Sequence, residues 1–204
     1  MKVLILTDIQ YDFLPGGALA VPDGDTIIPT INELQKHFPM VVATQDWHPA
    51  NHLSFASAHP GKKMFETIHL GDTEQILWPD HCVQGTKGAE LAESLSLKRV
   101  AAIFRKGMHP EIDSYSTFHD NEYKNSTGLS DFLKGKGVKE VYIVGLAGDF
   151  CVGFSALDAI KEGFTTYVIE DGTKPIDNEG FKKMKAKITE QGGKFIKSSS
   201  IISE

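Results

Sequence analysis

The sequence predicts an α/β fold, in which a parallel β-sheet is covered by helices on both faces. Short apolar runs that are rich in β-branched or aromatic residues recur along the chain, at Val3–Thr7, Met40–Thr44, Val100–Phe104, Glu140–Gly145, Thr165–Ile169 and Lys194–Ile196. Most of these runs do not alternate apolar and polar residues, which is typical of strands buried on both faces. Helical patterns lie between the runs, and this alternation indicates a parallel sheet.

Five segments have apolar residues at helical spacing and are predicted to form the helices. They lie around residues 27–38, 91–95, 129–133, 152–160 and 181–188. Glycine follows several of these segments, at Gly135, Gly163 and Gly192, where helices commonly end. Two connections, 47–87 and 107–127, are too long to be simple turns, and long connections in compact domains are often functional.

Length and composition set limits on the function. A chain of 204 residues fits one domain, so we expect residues 1–204 to form a single unit. The formal charge of −6 and the lack of a basic stripe argue against a nucleic-acid partner. No apolar stretch is long enough to cross a membrane, and the apolar run at the N-terminus is too short for a signal peptide.

The cysteine content points to a reducing compartment. The chain has two cysteines, Cys82 and Cys151, and we expect both to be free thiols in the cytoplasm. We assign Cys82 no role in catalysis. The sequence leaves open whether the protein forms a homo-oligomer.

Three reactive side chains directly follow predicted strands, where ligands bind in open α/β sheets. Cys151 follows the fourth strand and begins a helix, whose dipole favours a thiolate and whose free N–H groups can hold an oxyanion. Asp8 ends an apolar strand, and partial burial there would raise its pKa and suit it to proton transfer. Lys106 could neutralise either group. The alternatives to these functional roles are that Cys151 is an ordinary buried apolar residue, that Asp8 is a turn residue and that Lys106 is a solvated lysine at a strand end.

The second strand ends in a pattern that can bind a metal. Asp46 and His48 are two residues apart and point the same way if the chain is extended, and His81 could complete the site from the long connection. Imidazole and carboxylate ligands suit zinc, iron or manganese better than calcium or magnesium. The alternative is that these are ordinary surface histidines, which is how we interpret the five histidines without a clustered partner.

Aromatic residues in the loops could enclose a flat ring. Phe13, Trp78 and Tyr115 are candidates for this role, whereas we interpret Trp47 as an anchor for its loop. We interpret Asp149, two residues before Cys151, as the cap of the following helix.

Taken together, these motifs resemble the nicotinamidase (pyrazinamidase/nicotinamidase) family of isochorismatase-like cysteine hydrolases. The resemblance covers nearly the whole chain and lies in the segments DIQYDF (8–13), DWHP (46–49), WPDHCV (78–83), RKG (105–107) and GLAGDFCV (145–152). The Asp…Lys…Cys set is shared across the superfamily, whereas the segment around His81 is more specific to nicotinamidases.

The resemblance implies both a fold and an active site. The fold would have six parallel strands in the order 3-2-1-4-5-6, which places Asp8 and Cys151 side by side at the point where strand order reverses. The implied roles are a catalytic triad of Asp8, Lys106 and Cys151; metal ligands Asp46, His48 and His81; substrate walls that include Phe13, Trp78 and Tyr115; and an oxyanion turn with a cis peptide between Leu146 and Ala147. The resemblance leaves two alternatives for His52, a direct metal ligand or an outer-shell group, because it follows His48 more closely than the second histidine of related sites does.

The implied activity is hydrolysis of nicotinamide to nicotinic acid and ammonia through a thioester on the cysteine. A divalent metal would bind the pyridine nitrogen. Zn²⁺ fits best, with Fe²⁺ or Mn²⁺ as alternatives. Pyrazinamide would be a second substrate, and the pathway served would be NAD salvage.

Three other functions are compatible with the superfamily. An amidohydrolase of ureido or carbamoyl substrates would generally lack the metal set, and an isochorismatase acting on a vinyl ether would not need Cys151. An inactive member that binds a partner protein would be expected to have lost part of the triad or the metal set. The complete set of residues in this chain favours the nicotinamidase hypothesis over all three.

Overall fold

Six parallel strands form the central sheet of the computed structural model, which describes residues 1–71 and 73–203. In chain order, the strands of the described residues are β1 (Lys2–Thr7), β2 (Val41–Asp46), β3 (Thr67–Leu70), β4 (Thr73–Ile76), β5 (Val100–Lys106), β6 (Glu140–Leu146), β7 (Thr165–Lys174) and β8 (Lys194–Ile196). Strands β3 and β4 lie outside the central sheet. The sheet has the order β5-β2-β1-β6-β7-β8, and each neighbouring pair is parallel. Counted along the sheet strands alone, this is the predicted order 3-2-1-4-5-6.

Helices cover both faces of the sheet, as predicted. They are α1 (Ile28–Leu34), α2 (Leu129–Gly135), α3 (Cys151–Lys161), α4 (Asn178–Glu190) and α5 (Ser199–Ile202). Alternate residues of β1 enter two separate cores: Leu4 and Leu6 pack with α1 and α5, and Val3 and Ile5 pack with α2, α3 and α4. Burial of β1 on both faces explains why it reads as an unbroken apolar run.

The predicted helix at residues 91–95 is wrong. Residues 90–92 instead run antiparallel to residues 9–11, with hydrogen bonds from Tyr11 N to Glu90 O and from Ala92 N to Ile9 O. Ala92 and Leu95 are buried, so their apolar spacing reflects loop packing and not a helical face.

Two further elements have no counterpart in the sequence analysis. Strands β3 and β4 form a separate antiparallel hairpin inside the long connection after β2. Their residues are largely exposed or half-buried, so they lack the apolar run that marks a sheet strand. The other element is α5, which is four residues long. Among the described residues, no helix is long and apolar enough to span a bilayer.

The sheet register brings the carboxyl ends of the inner strands together. Thr7 pairs with Gly145, so Asp8 and the turn after β6 lie side by side. On the other side of β1, Asp46 at the end of β2 pairs with Lys106 at the end of β5. Residues that are distant in sequence therefore converge on one edge of the sheet.

A polar cluster at the C-terminal end of α3 joins this helix to α2 and to the 107–127 connection. Glu162, just after α3, accepts hydrogen bonds from two residues of α2, Ser130 Oγ (2.6 Å) and Lys134 Nζ (2.5 Å). It also contacts His119 Nε2, in the 107–127 connection, at 2.8 Å. These three partners, Lys134 first, lower the pKa of Glu162 to about 2. Glu162 thus joins three segments that are separate along the chain.

We expect Glu162→Gln to lower the free energy of unfolding by about 1 kcal/mol at pH 7, because the cluster is only partly shielded from solvent. A carboxyl group whose pKa is lower in the folded state stabilises the fold at a pH above its unfolded value, and loses this effect as pH falls. The difference between the variant and the wild type should therefore shrink between about pH 4.5 and pH 2. Urea unfolding over this range measures it, with exposed Glu93→Gln as the control. An unchanged difference at low pH would contradict the assignment.

Candidate active site

The Lys106 ammonium group lies at the centre of the site. Its Nζ is 3.0 Å from Asp8 Oδ2, 3.0 Å from Asp46 Oδ1 and 3.5 Å from Cys151 Sγ, and it donates to Ser114 O at 2.8 Å. The side chain is 1% exposed. Burial alone would lower the pKa of Lys106, but the two carboxylates outweigh this effect and hold the pKa well above its usual value. Lys106 is therefore a permanent cation.

Asp8 is held at the end of β1 by a neighbouring strand. Its Oδ1 accepts a hydrogen bond from Thr44 Oγ1 at 2.6 Å, and its backbone N–H donates to the same hydroxyl group at 3.2 Å. Burial raises the pKa of Asp8, although Lys106 opposes the rise. A carboxylate with a raised pKa is a better proton acceptor than one in water.

Cys151 is the first residue of α3 and is a free thiol, as is Cys82. Here the structure corrects one expectation. Burial raises the pKa of the Cys151 thiol well above its ordinary value, and Lys106 only partly opposes this effect. The helix dipole therefore does not suffice to make a resting thiolate, and the thiol needs a base. Asp8 is the candidate for this base, because its carboxylate contacts the same Lys106 ammonium group as the thiol does.

The turn between β6 and α3 has the predicted cis peptide between Leu146 and Ala147. The Ala147 side chain lines the cavity next to Cys151. The Leu146 side chain does not contribute to the site: it is fully buried, and a Cβ atom at Gly24 would lie 3.3 Å from its Cδ1. Since Leu146 is the last residue of β6, its side chain enters the core and only its backbone reaches the turn.

The prediction that Asp149 caps α3 is wrong. The residue before the helix is Phe150, and no side chain caps that end. The two Asp149 oxygens instead accept hydrogen bonds from the backbone N–H groups of Ile176 and Asp177, across the turn.

A second group of side chains can hold a metal ion. Asp46, His48 and His81 are all buried, and one ligand atom of each lies within 4.8 Å of the others. Burial would raise the pKa of Asp46, but His48 and Lys106 outweigh this effect and hold the pKa well below its usual range. The group therefore contains a full carboxylate.

The histidine rings are oriented for a cation. His48 Nδ1 is 2.8 Å from Gly107 O and His81 Nδ1 is 2.8 Å from Pro79 O, so each Nδ1 carries the proton and each Nε2 has a lone pair. Both Nε2 atoms face Asp46 Oδ2, at 3.1 and 3.5 Å, and His48 Nε2 is buried without a hydrogen-bond partner. In neutral rings these lone pairs would face a carboxylate oxygen and repel it. Although burial opposes the rise, Asp46 raises the pKa of His48, and either a proton on this ring or a bound cation would remove the repulsion. The residues fit a divalent metal.

The backbone of Asp46 is fixed by a buried side chain. Gln10 Nε2 donates to Asp46 O at 2.8 Å, and Asp46 N donates to Gln10 Oε1 at 2.8 Å. The Gln10 side chain thus pairs with Asp46 as a strand residue would, although it comes from the loop after β1. No local sequence signal marks this role.

His52 lies beside the metal group but is oriented differently. Its Nδ1 accepts a hydrogen bond from Ser54 N at 3.1 Å, so the proton lies on Nε2. Burial lowers the pKa of His52 to about 4, and His48 adds to this effect. Its Nε2 is buried without a hydrogen-bond partner, and His52 belongs with His48 and Asp113 to another group of side chains that could hold a metal ion.

One narrow cavity reaches both groups, through Cys151 of the first and through Asp46 and His81 of the second, whereas Asp8, Lys106 and His48 do not line it. Of the predicted residues, the cavity is lined by Phe13, Asp46, Trp78, His81, Tyr115, Ala147 and Cys151. Trp78 Nε1 donates to Tyr115 OH at 3.3 Å, which fixes two of the aromatic walls. Leu19, Asp113, Phe150 and Ile176 also line the cavity and were not predicted. Of these, Ile176 follows the end of β7, so the strand-end rule could have found it.

We expect Gly107→Ala to weaken zinc binding at least tenfold. A Cβ atom at Gly107 would lie 2.4 Å from His48 Cε1, so the His48 ring would have to move. Gly137→Ala is a matched control, because both glycines have a positive φ (67° and 72°) but no atom lies within 4 Å of a Cβ at Gly137. Competition with a chromophoric chelator measures the affinities. Equal zinc affinity in the two variants would show that His48 is not a ligand.

Comparisons with known proteins agree with this geometry. The isochorismatase domain model matches residues 2–200. A nicotinamidase of Acinetobacter baylyi is 54% identical over 177 residues, which are 87% of this chain and 83% of that protein. The structure of a nicotinamidase/pyrazinamidase of Acinetobacter baumanii is 50% identical and superposes with a TM-score of 0.96, over 98% of this chain and 97% of that one. A zinc complex of the pyrazinamidase of Pyrococcus horikoshii is 38% identical, with a TM-score of 0.79 over 96% and 98% of the two chains. The chain belongs to the isochorismatase family of hydrolases.

Proposed function

We propose that this protein is a nicotinamidase, which hydrolyses nicotinamide to nicotinic acid and ammonia. The observation that carries the proposal is that one cavity joins the Asp8–Lys106–Cys151 cluster to the Asp46–His48–His81 group between aromatic walls. The first cluster can cleave an amide, and the second can select a ring nitrogen. Similarity to nicotinamidases at up to 54% identity supports the same substrate.

The first half of the reaction forms a thioester. Asp8 takes the proton from Cys151, and the thiolate attacks the carboxamide carbon of nicotinamide. Lys106 Nζ, 3.5 Å from the sulfur, stabilises the negative charge there. The backbone N–H groups of Ala147 and Cys151 hold the oxyanion. Protonated Asp8 then donates to the leaving nitrogen, and ammonia departs as the C–N bond breaks.

The second half of the reaction hydrolyses the thioester. Asp8 takes a proton from a water molecule, whose hydroxide adds to the acyl carbon. The same N–H groups hold the second oxyanion. When the C–S bond breaks, the thiolate leaves and recovers the proton from Asp8, so nicotinic acid is released and the thiol is restored.

Asp46, His48 and His81 would hold a divalent metal, which we propose to be Zn²⁺, with Fe²⁺ or Mn²⁺ as alternatives. A metal bound there supplies an anchor for the pyridine nitrogen and withdraws electron density from the ring. Two imidazoles and a carboxylate with open positions are typical of zinc. The zinc complex of the Pyrococcus horikoshii pyrazinamidase supports this assignment.

The proposal extends to the setting of the enzyme. We expect pyrazinamide, which also has a ring nitrogen and a carboxamide, to be a second substrate. Because the mechanism needs a free thiol, we place the protein in the cytoplasm, where its product would feed NAD salvage. We further propose that residues 1–204 form one domain, since the family match spans residues 2–200. A homo-oligomer is compatible with all of these statements.

We expect purified, metal-loaded protein to release ammonia from nicotinamide, and chelation followed by verified metal removal to lower the rate at least 100-fold. The metal fixes the ring, so loss of the metal removes the productive orientation of the carboxamide. Coupled detection of ammonia measures the rate, and zinc should restore it. Release that survives metal removal would take the substrate-binding role from Asp46, His48 and His81. No release by the loaded protein would favour a ureido or carbamoyl substrate.

We expect Cys151→Ala to lower kcat at least 10⁴-fold and to leave zinc content and nicotinamide binding near the wild-type values, because the variant lacks only the nucleophile. Cys82→Ala is the matched control, since it removes the other buried thiol and should keep most of the activity. Ammonia release, metal analysis and calorimetric binding measure these effects. Substantial turnover by Cys151→Ala would favour attack by a metal-bound hydroxide.

A further inference from the structure

Asp149 connects the turn that carries Cys151 to the segment that follows β7. Its Oδ1 accepts a hydrogen bond from Ile176 N at 2.9 Å, and its Oδ2 accepts one from Asp177 N at 2.8 Å. The side chain is buried, and its residue lies two positions before Cys151. A buried carboxylate costs free energy unless it is fully hydrogen-bonded, so such a group marks a place where the backbone must be held.

The segment held by Asp149 is anchored on both sides of Ile176. Lys174 O, before it, accepts a hydrogen bond from Gly148 N at 2.8 Å, and Asp177, after it, caps α4 through a hydrogen bond from Gly180 N at 2.6 Å. Gly148 packs on α4 as well, since a Cβ atom there would lie 2.8 Å from the Phe181 ring. The turn after β6 and the segment after β7 therefore form one connected piece.

Ile176 forms part of the cavity wall. It lines the cavity together with the apolar residues Phe13, Leu19 and Ala147, and is half-buried. Its side chain offers no hydrogen bond to a substrate, so it can act on specificity only through its volume and its position. The position depends on the backbone N–H of Ile176 itself, which is the group that Asp149 binds.

We propose that Ile176 sets the size limit for the ring of the carboxamide substrate, and that Asp149 is a positioning residue that holds Ile176 in the wall. The proposal rests on the nicotinamidase function proposed above and names a determinant of its substrate range. With Ile176 fixed, the cavity accepts an unsubstituted pyridine or pyrazine carboxamide and rejects rings that carry an additional alkyl group. A loosened wall would admit these larger rings.

The test compares kcat/KM for nicotinamide with kcat/KM for a set of monomethylated nicotinamides. Each member of the set carries its single methyl group at a different free ring carbon. We expect Ile176→Ala to shift the ratio toward at least one methylated substrate by about tenfold, within the range that one methyl group contributes in an apolar pocket. Asp149→Ala should shift the ratio toward the same substrate. In both variants KM for nicotinamide should rise more than kcat falls, because the chemical groups remain in place.

A control residue with the same hydrogen-bonding pattern, but exposed, separates positioning from the general loss of hydrogen bonds. Asp171 also binds a neighbouring segment with both oxygens, through Ser198 N at 2.8 Å and Ser198 Oγ at 2.6 Å, and it does not line the cavity. Asp171→Ala should lower stability and leave the substrate ratio unchanged. Asp149→Asn, which keeps one acceptor oxygen, should lie between the wild type and Asp149→Ala, and it replaces Asp149→Ala if that variant does not fold.

The double variant decides whether Asp149 acts through Ile176. If it does, adding Asp149→Ala to Ile176→Ala should change the ratio little, because the side chain being positioned is already gone. A full additional shift would overturn the positioning role, and unchanged ratios in both single variants would overturn the size limit. The wild type is measured first. If it fails to hydrolyse nicotinamide, the nicotinamidase function is refuted, and the inference with it. If the wild type is active but the substrate ratios of the variants are unchanged, the inference alone is refuted.

Discussion

The buried ammonium group of Lys106 is the interaction on which the site depends. It lies 3.0 Å from a carboxylate on each side: Asp8, which serves proton transfer, and Asp46, which belongs to the metal group. A buried charge is tolerated only when it is paired, and removing one partner leaves the others uncompensated. One cation between two carboxylates leaves a net negative charge, which a divalent metal at Asp46 would offset. The nucleophile and the metal group are therefore electrostatically coupled through one side chain.

The sheet explains how three buried charges come to lie together. Asp8, Asp46 and Lys106 come from β1, β2 and β5, which are adjacent and parallel, so their carboxyl ends share one edge. Strand pairing satisfies the backbone up to this edge, and the side chains beyond it can turn toward one another. Gln10 then fixes Asp46 through both of its backbone groups. The rigidity that catalysis requires is supplied by main-chain hydrogen bonds.

The parts of the structure that could be predicted from sequence are those with a local signal. Apolar runs located the six sheet strands, and the strand-end rule located Asp8, Lys106 and Cys151. The helix at 91–95 was wrong because loop packing against residues 9–11 imitated a helical spacing. The sequence could not show the roles of Asp149 and Gln10, because their partners are 27 and 36 residues away in the chain. Leu19 and Asp113 line the cavity only through tertiary packing.

Because the pKa of the Cys151 thiol is raised, the free energy of proton transfer from Cys151 to Asp8 depends on how the site stabilises the charge that this transfer moves. Proton transfer from Cys151 to Asp8 moves one negative charge from a carboxylate to a sulfur and leaves the total charge unchanged. Lys106 Nζ lies 3.0 Å from the carboxylate and 3.5 Å from the sulfur, so the same cation stabilises the charge before and after the transfer. A buried site has little water to reorganise, and catalysis is favoured when the stabilising group is already in place. A neutral thiol can therefore become a nucleophile through a proton shift to Asp8 within the cluster.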